Sequence, residues 1–81
     1  MPKTLHSGRH RKLVDTLVEY RERSGITQSE LAVRLGRYQS TVAVMEGGSR
    51  RIDLVELLAL AEALEFDIHE LIERVRAVPQ T

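Results

Sequence analysis

The stretch that decides the fold is TQSELAVRLGRYQSTVAVMEGG, residues 27–48. Thr27 is a preferred N-cap residue, and Glu30 three positions later completes a capping box, so a helix is predicted to begin here. Apolar residues then recur at helical spacing until Gly36, which can adopt the left-handed conformation that ends many helices. A second apolar set precedes Gly48 and predicts another short helix. Because neither helix is long enough to bury an apolar face alone, we expect the two to cross and share a core.

This stretch resembles the helix-turn-helix of the Cro/repressor-type (lambda-repressor-like, xenobiotic-response-element-like) family of DNA-binding proteins. The matching positions are Thr27, Gln28, Leu31, Ala32, Gly36, Gln39, Ser40, Val42, Glu46 and Gly48. Downstream, the residues that match the family's two C-terminal helices are Leu57, Ala61, Leu64 and Leu71. The resemblance covers roughly residues 10–75. It implies an all-α fold, a compact five-helix lambda-repressor-like domain with a central helix-turn-helix.

The composition is that of one small globular domain. The chain has 81 residues, of which 42% are hydrophobic and 30% charged, and it contains no cysteine. The absence of cysteine excludes a disulfide framework and a thiolate metal site, and it fits the cytoplasm, where we expect the protein to reside. The sequence contains neither an apolar run long enough to span a membrane nor a signal-type apolar segment at its N-terminus, so no membrane association is expected.

Charge is unevenly distributed along the chain, although the net charge is zero. Residues 1–51 hold ten Lys and Arg against five Asp and Glu, whereas residues 52–81 hold two against seven. A phosphate backbone responds to the nearby face of a protein within about one Debye length (~8 Å), so the asymmetry favours nucleic-acid contact by the N-terminal half. Solvated helix faces without a partner are the alternative interpretation.

The segments around the central stretch complete the domain. Residues 1–8, MPKTLHSG, are predicted to be a flexible arm that either touches DNA or frays in solvent. Residues 9–78 are predicted to form the DNA-binding domain, with a first helix from about Arg9 to Ser24.

Two further capping signals, Asp53 with Glu56 and Asp67 with Glu70, predict the last two helices. The apolar residues of these helices are too many for one narrow stripe, so part of their surface is expected to face a second copy of the chain. The residues predicted at this homodimer interface are Leu58, Leu71, Ile72 and Val75.

The resemblance places the second helix of the motif, about residues 39–47, in the DNA major groove. The Gln39 amide can pair with the N6/N7 edge of adenine, and the Val44 methyl groups suit a thymine methyl. The predicted base-contacting residues are Gln39, Ser40, Thr41, Ala43 and Val44. The predicted phosphate-contacting residues are Thr27, Gln28, Arg37, Tyr38, Arg50 and Arg51. Simple helix capping is the alternative for any single polar residue, and a solvated loop is the alternative for the two arginines that end this set.

The resemblance also implies a structural ion pair between Arg21 on the first helix and Glu46 near the end of the recognition helix. Two uncoupled surface charges are the alternative. The sequence departs from the family at Tyr38, where a Ser or Thr cap is usual, and at Arg37, where the turn residue is usually small and apolar. A missing cap costs the helix about 1 kcal/mol unless another group replaces it.

The leading hypothesis is sequence-specific binding of a two-fold-symmetric double-stranded DNA operator by a homodimeric transcriptional regulator, of the repressor or controller type. An antitoxin or adaptor module that binds a partner protein is the alternative, favoured by a recognition helix without Lys or Arg and by the apolar, acidic C-terminal half. No catalytic activity, metal or cofactor is predicted. The histidines, His6, His10 and His69, lack metal-ligand spacing, and capping explains the paired carboxylates.

Overall fold

Five α-helices and no strand make up residues 7–80, the part of the chain that the computed structural model describes. The helices are α1 (Gly8–Arg23), α2 (Gln28–Leu35), α3 (Gln39–Gly47), α4 (Leu54–Leu64) and α5 (Ile68–Arg76). The predicted all-α, five-helix fold with a central helix-turn-helix is therefore confirmed.

The start of α1 lies slightly earlier than predicted. Ser7 is its N-cap and accepts a hydrogen bond from the backbone N–H of His10, and Gly8 is its first residue. These two positions of the predicted arm therefore belong to the helix start, whereas residues 1–6 lie outside the described residues.

Local side-chain signals set most helix ends as predicted. The Thr27 hydroxyl accepts from the Glu30 amide at 3.1 Å, and the Glu30 carboxylate accepts from the Thr27 amide at 2.7 Å. Asp53 and Glu56 form the same reciprocal capping box at the start of α4. Gly36 ends α2 with a left-handed φ of 68°, a conformation that costs little without a Cβ atom.

Only one of the two hydrogen bonds of the capping box predicted at the start of α5 has a counterpart in the structure. Asp67 caps the helix by accepting from the His69 amide, whereas the Glu70 carboxylate accepts the hydroxyl hydrogen of Tyr20 at 2.5 Å. Tyr20 is only 1% exposed, and a buried hydroxyl requires an acceptor. The Glu70 carboxylate, which the local pattern assigned to the cap, therefore binds the Tyr20 hydroxyl instead.

The core is built from apolar side chains of all five helices. Helix α1 packs against α3 and α5, α2 packs against α3 and α4, and α4 contacts α5. The buried apolar residues are Val14, Leu17, Tyr20, Leu31, Ala32, Val42, Met45, Leu60, Leu64 and Leu71. In this arrangement the face of α3 that carries Val42 and Met45 packs against the core, and its opposite face is exposed.

The residues of the predicted dimer surface differ in exposure. Leu71 is 1% exposed and belongs to the core, so it offers almost no surface of its own to a partner. Its neighbour Ile72, about 100° further around the helix, is 40% exposed, and Leu58 on α4 is 46% exposed. Val75 is half-buried beside the core. The sequence pattern identified the apolar helix but did not separate its inner from its outer residues.

Candidate nucleic-acid interface

Helix α3, the predicted recognition helix, presents one apolar and one mainly polar face. Val42 and Met45 are buried against the core, whereas Gln39, Ser40 and Val44 are exposed. Thr41 and Ala43, the other predicted base-contacting residues, are half-buried on the same helix. The structure thus places Gln39, Ser40 and Val44 where an external ligand can reach them.

An ion pair fixes α3 to α1. The guanidinium of Arg21 donates from Nε to Glu46 Oε2 at 2.7 Å and from Nη2 to Glu46 Oε1 at 3.0 Å. Its Nη1 donates to the Ile26 carbonyl at 2.8 Å, so the same side chain also holds the loop that precedes α2. The Arg21 and Glu46 side chains are 13% and 11% exposed, which makes this a shielded, bidentate pair. Glu46 raises the pKa of Arg21 by accepting its hydrogen bonds.

Two glutamine side chains continue from this ion pair to the surface. Gln28 Nε2 donates to Glu46 Oε1 at 2.9 Å, and Gln39 Nε2 donates to Gln28 Oε1 at 2.8 Å. An ionised carboxylate only accepts hydrogen bonds, so it must face the NH2 end of Gln28 and leave the carbonyl end for Gln39. The amide orientation of Gln39 is therefore set by a carboxylate two side chains away.

This orientation leaves Gln39 with one N–H and a carbonyl oxygen that bond to no other residue in the range 7–80. Those are the donor and the acceptor that a bidentate pair with adenine N7 and N6 requires. The chain of hydrogen bonds also lowers the number of rotamers open to Gln39, which reduces the entropy lost on binding.

The two residues predicted to contact phosphate at the start of α2 differ in whether their side chains are free to bind a ligand. The half-buried Gln28 side chain is occupied on both sides, by Glu46 and by Gln39, so it acts as a link between them. The exposed Thr27 hydroxyl accepts from the Glu30 amide and retains its own hydrogen as a donor. A phosphate contact at this helix start remains a prediction and depends on Thr27 and on the backbone N–H groups.

The predicted phosphate-contacting residues around α3 have different environments. Tyr38 is 82% exposed and makes no side-chain cap, which leaves its hydroxyl at the surface. Arg51 is exposed and forms no ion pair with any residue in the range 7–80. Arg50 is paired with Glu56, and Arg37 lies 3.8 Å from the same carboxylate.

The sequence interpretation missed this second role of Glu56. It recognised Glu56 as the N3 residue of a capping box, which the structure contains, but not as the partner of two arginines. An arginine six positions before a glutamate gives no periodic signal, so the sequence held little to reveal the pair.

The histidine and carboxylate residues in the described part of the chain are dispersed. No group of three or more His, Asp or Glu residues within residues 7–80 is arranged to hold a metal ion. His10 instead places Nε2 3.1 Å from the carbonyl oxygen of Gly48, at the end of α3. None of the five helices is long and apolar enough to cross a membrane.

Comparisons with known proteins agree with this geometry. The helix-turn-helix domain family matches residues 12–77. A solved structure described as an XRE-family like protein from Pseudomonas syringae pv. tomato str. DC3000 is 41% identical, with a TM-score of 0.83 over 93% of this chain and 92% of that chain. The chain belongs to the XRE-type helix-turn-helix family. No match was found among the curated proteins.

Membership in this family confirms the resemblance seen in the sequence and gives the general function, that of a DNA-binding regulator. In helix-turn-helix proteins the second helix of the motif lies in the major groove, and in this chain that helix is α3. The exposed face of α3 is therefore the candidate site for contacts with bases.

Proposed function

We propose that the protein is a homodimeric transcriptional regulator, of the repressor or controller type, that binds a two-fold-symmetric DNA operator with α3 in the major groove. The observation that carries this proposal is the exposed Gln39 side chain, whose Nε2 donates to Gln28 Oε1 at 2.8 Å. Its second N–H and its carbonyl oxygen are the donor and the acceptor that a bidentate pair with adenine uses.

Base contacts and phosphate contacts come from different residues in this proposal. Helix α3 carries no Lys or Arg, so its direct readout rests on the Gln39 amide, the Ser40 hydroxyl and the Val44 methyl groups. Arg and Lys are the usual readers of guanine, so we expect A·T pairs at the positions that α3 contacts. The attraction for the phosphate backbone then comes from Arg51 and Arg37, on the two sides of the helix.

The dimer is proposed to form through α4 and α5. Leu58 and Ile72 are 46% and 40% exposed on these helices, and Val75 is half-buried near them. An open cavity of about 290 Å³, lined in part by Leu13, Ile72 and Val75, lies at the same surface. Insertion of a partner's apolar side chains there removes this surface from water. Two-fold symmetry then presents two α3 helices to half-sites about 34 Å apart.

The second candidate function is that of an antitoxin or adaptor that mainly binds a partner protein. The lack of Lys and Arg on α3 favours it, and so do the large exposed side chains at the start of α4, where Leu54 and Val55 are 63% and 75% exposed.

Selection of binding sites from random duplex DNA, followed by a salt series, separates the two candidates. The DNA-binding regulator selects a two-fold-symmetric site. With about 4–8 phosphates neutralised per dimer, log K falls against log salt with a slope of several units. No preferred sequence together with a flat salt response would reject the proposal in favour of the adaptor.

A further inference from the structure

A single carboxylate, that of Glu56, contacts arginines from both ends of the recognition helix. Arg37 lies just before the α3 N-cap, and Arg50 lies two residues after the α3 C-cap, Gly48. Arg50 donates to Glu56 from Nη2 at 2.7 Å and from Nη1 at 3.2 Å. Arg37 Nη1 lies 3.8 Å from the same oxygen, Oε2, that accepts the shorter Arg50 bond.

Glu56 is the fixed member of this group. Its side chain is 13% exposed, compared with 35% for Arg50 and 52% for Arg37. Its Oε1 also accepts from the Asp53 amide at 3.0 Å, as part of the α4 capping box. Hydrogen bonding from Arg50 holds the pKa of Glu56 below its usual value, so the carboxylate is ionised at neutral pH.

The negative charge of Glu56 offsets one of the two positive charges of Arg37 and Arg50, so the group has a net charge of +1. A carboxylate accepts the same bidentate pair of guanidinium N–H bonds that a phosphate accepts. Glu56 therefore competes directly with the DNA backbone for Arg50. Arg51 has no such competitor among the described residues.

We propose that Glu56 is a positioning residue that limits non-specific affinity for DNA by keeping Arg50 from the phosphate backbone. This inference rests on the proposed function. It explains how a protein whose recognition helix carries no Lys or Arg avoids binding every duplex equally. With fewer backbone contacts, the contacts of α3 with bases contribute a larger share of the affinity.

The test compares Glu56→Gln with Glu62→Gln in binding to a random-sequence duplex over a salt series. Glu62 is an exposed glutamate on the same helix, so both variants change the formal charge equally. Glu56→Gln is expected to gain one phosphate contact per protomer. The ratio of its affinities at 50 and 200 mM salt then rises by about 3.5-fold for each protomer. Equal salt slopes for the two variants would overturn the inference.

A second pair of variants applies even if Glu56→Gln fails to fold. Arg50→Gln and Arg51→Gln both leave the capping box between Asp53 and Glu56 in place. Arg51→Gln is expected to lower the salt slope by about one unit per protomer, and Arg50→Gln by less than half of that. Equal losses would also overturn the inference.

Binding by the wild-type protein distinguishes a failure of the proposed function from a failure of the role assigned to Glu56. If it shows no salt-dependent binding to any duplex, the proposed function and this inference fail together. If it binds while both pairs of variants behave alike, only the role of Glu56 is rejected.

Discussion

The α2–α3 surface and the α4–α5 surface of this molecule expose different chemistry. The first presents Gln39 at the end of a chain of hydrogen bonds that begins at the shielded Arg21–Glu46 pair. The second exposes apolar side chains, of which Leu58 and Ile72 are 46% and 40% accessible. The domain therefore orders polar side chains on the surface that is proposed to bind base edges. It leaves apolar side chains exposed on the surface that is proposed to pack against another protein.

The largest expected effect comes from breaking the ion pair beneath the first surface. Arg21→Ala leaves the Glu46 carboxylate shielded and without its arginine, so we expect the free energy of unfolding to fall by about 3–5 kcal/mol. Chemical denaturation measures the loss. Arg11→Ala is the matched control, because Arg11 pairs with Asp15 at 55% and 63% exposure and is expected to cost less than about 1 kcal/mol. A denaturation curve for Arg21→Ala that coincides with the wild type would refute the structural role of the pair.

Two adjacent residues on α5, Leu71 and Ile72, are expected to respond differently to substitution by alanine. Leu71→Ala removes a core side chain and is expected to cost about 2–5 kcal/mol of unfolding free energy. Ile72→Ala is expected to cost less than half as much but to weaken self-association, which sedimentation over a concentration series measures. An unchanged dimer dissociation constant for Ile72→Ala would remove this part of α5 from the proposed interface.

The starts of α2 and α4 were predictable because their capping signals lie three residues apart. Thr27 with Glu30 and Asp53 with Glu56 fall in this class, and the structure contains both capping boxes. The family resemblance also supplied the pairing of Arg21 with Glu46, which no local pattern shows.

Contacts between distant residues were less accessible to sequence reasoning. Glu70 has the spacing of a capping residue, yet it accepts from Tyr20, fifty positions away. The inward position of Leu71 and the pairing of Glu56 with Arg50 likewise depend on how the helices cross and on which rotamers then meet. Neither the way the helices cross nor the rotamers of their side chains can be inferred from composition and periodicity alone.

The stability contributed by Glu56, at the start of α4, is expected to decrease in acid. Because the pKa of Glu56 is lowered in the folded state, its stabilising contribution is complete above the unfolded-state pKa of about 4.3 and is lost as pH falls through the folded-state value. Wild-type stability should therefore decrease more between neutral and acidic pH than that of Glu56→Gln. Parallel pH profiles of the two proteins would contradict this coupling.

The smallest expected effect concerns the start of α3. Tyr38 provides no side-chain cap, so Tyr38→Ser is expected to stabilise the domain by about 1 kcal/mol. A thermal melt measures the gain, and Thr27→Ala, which removes a working cap, provides a control of opposite sign. A lower melting temperature for Tyr38→Ser would show that the exposed ring contributes more to stability than its lack of a cap implies.

The central claim is that the exposed face of α3 reads DNA bases, and it is tested most directly by repeating the binding-site selection with Gln39→Ala and Arg51→Ala. Gln39→Ala is expected to relax the preference at one base pair in each half-site, with a loss of about 1–3 kcal/mol of discrimination there. Arg51→Ala is expected to weaken all sequences alike and leave the selected motif unchanged. A motif that survives Gln39→Ala intact would contradict the account.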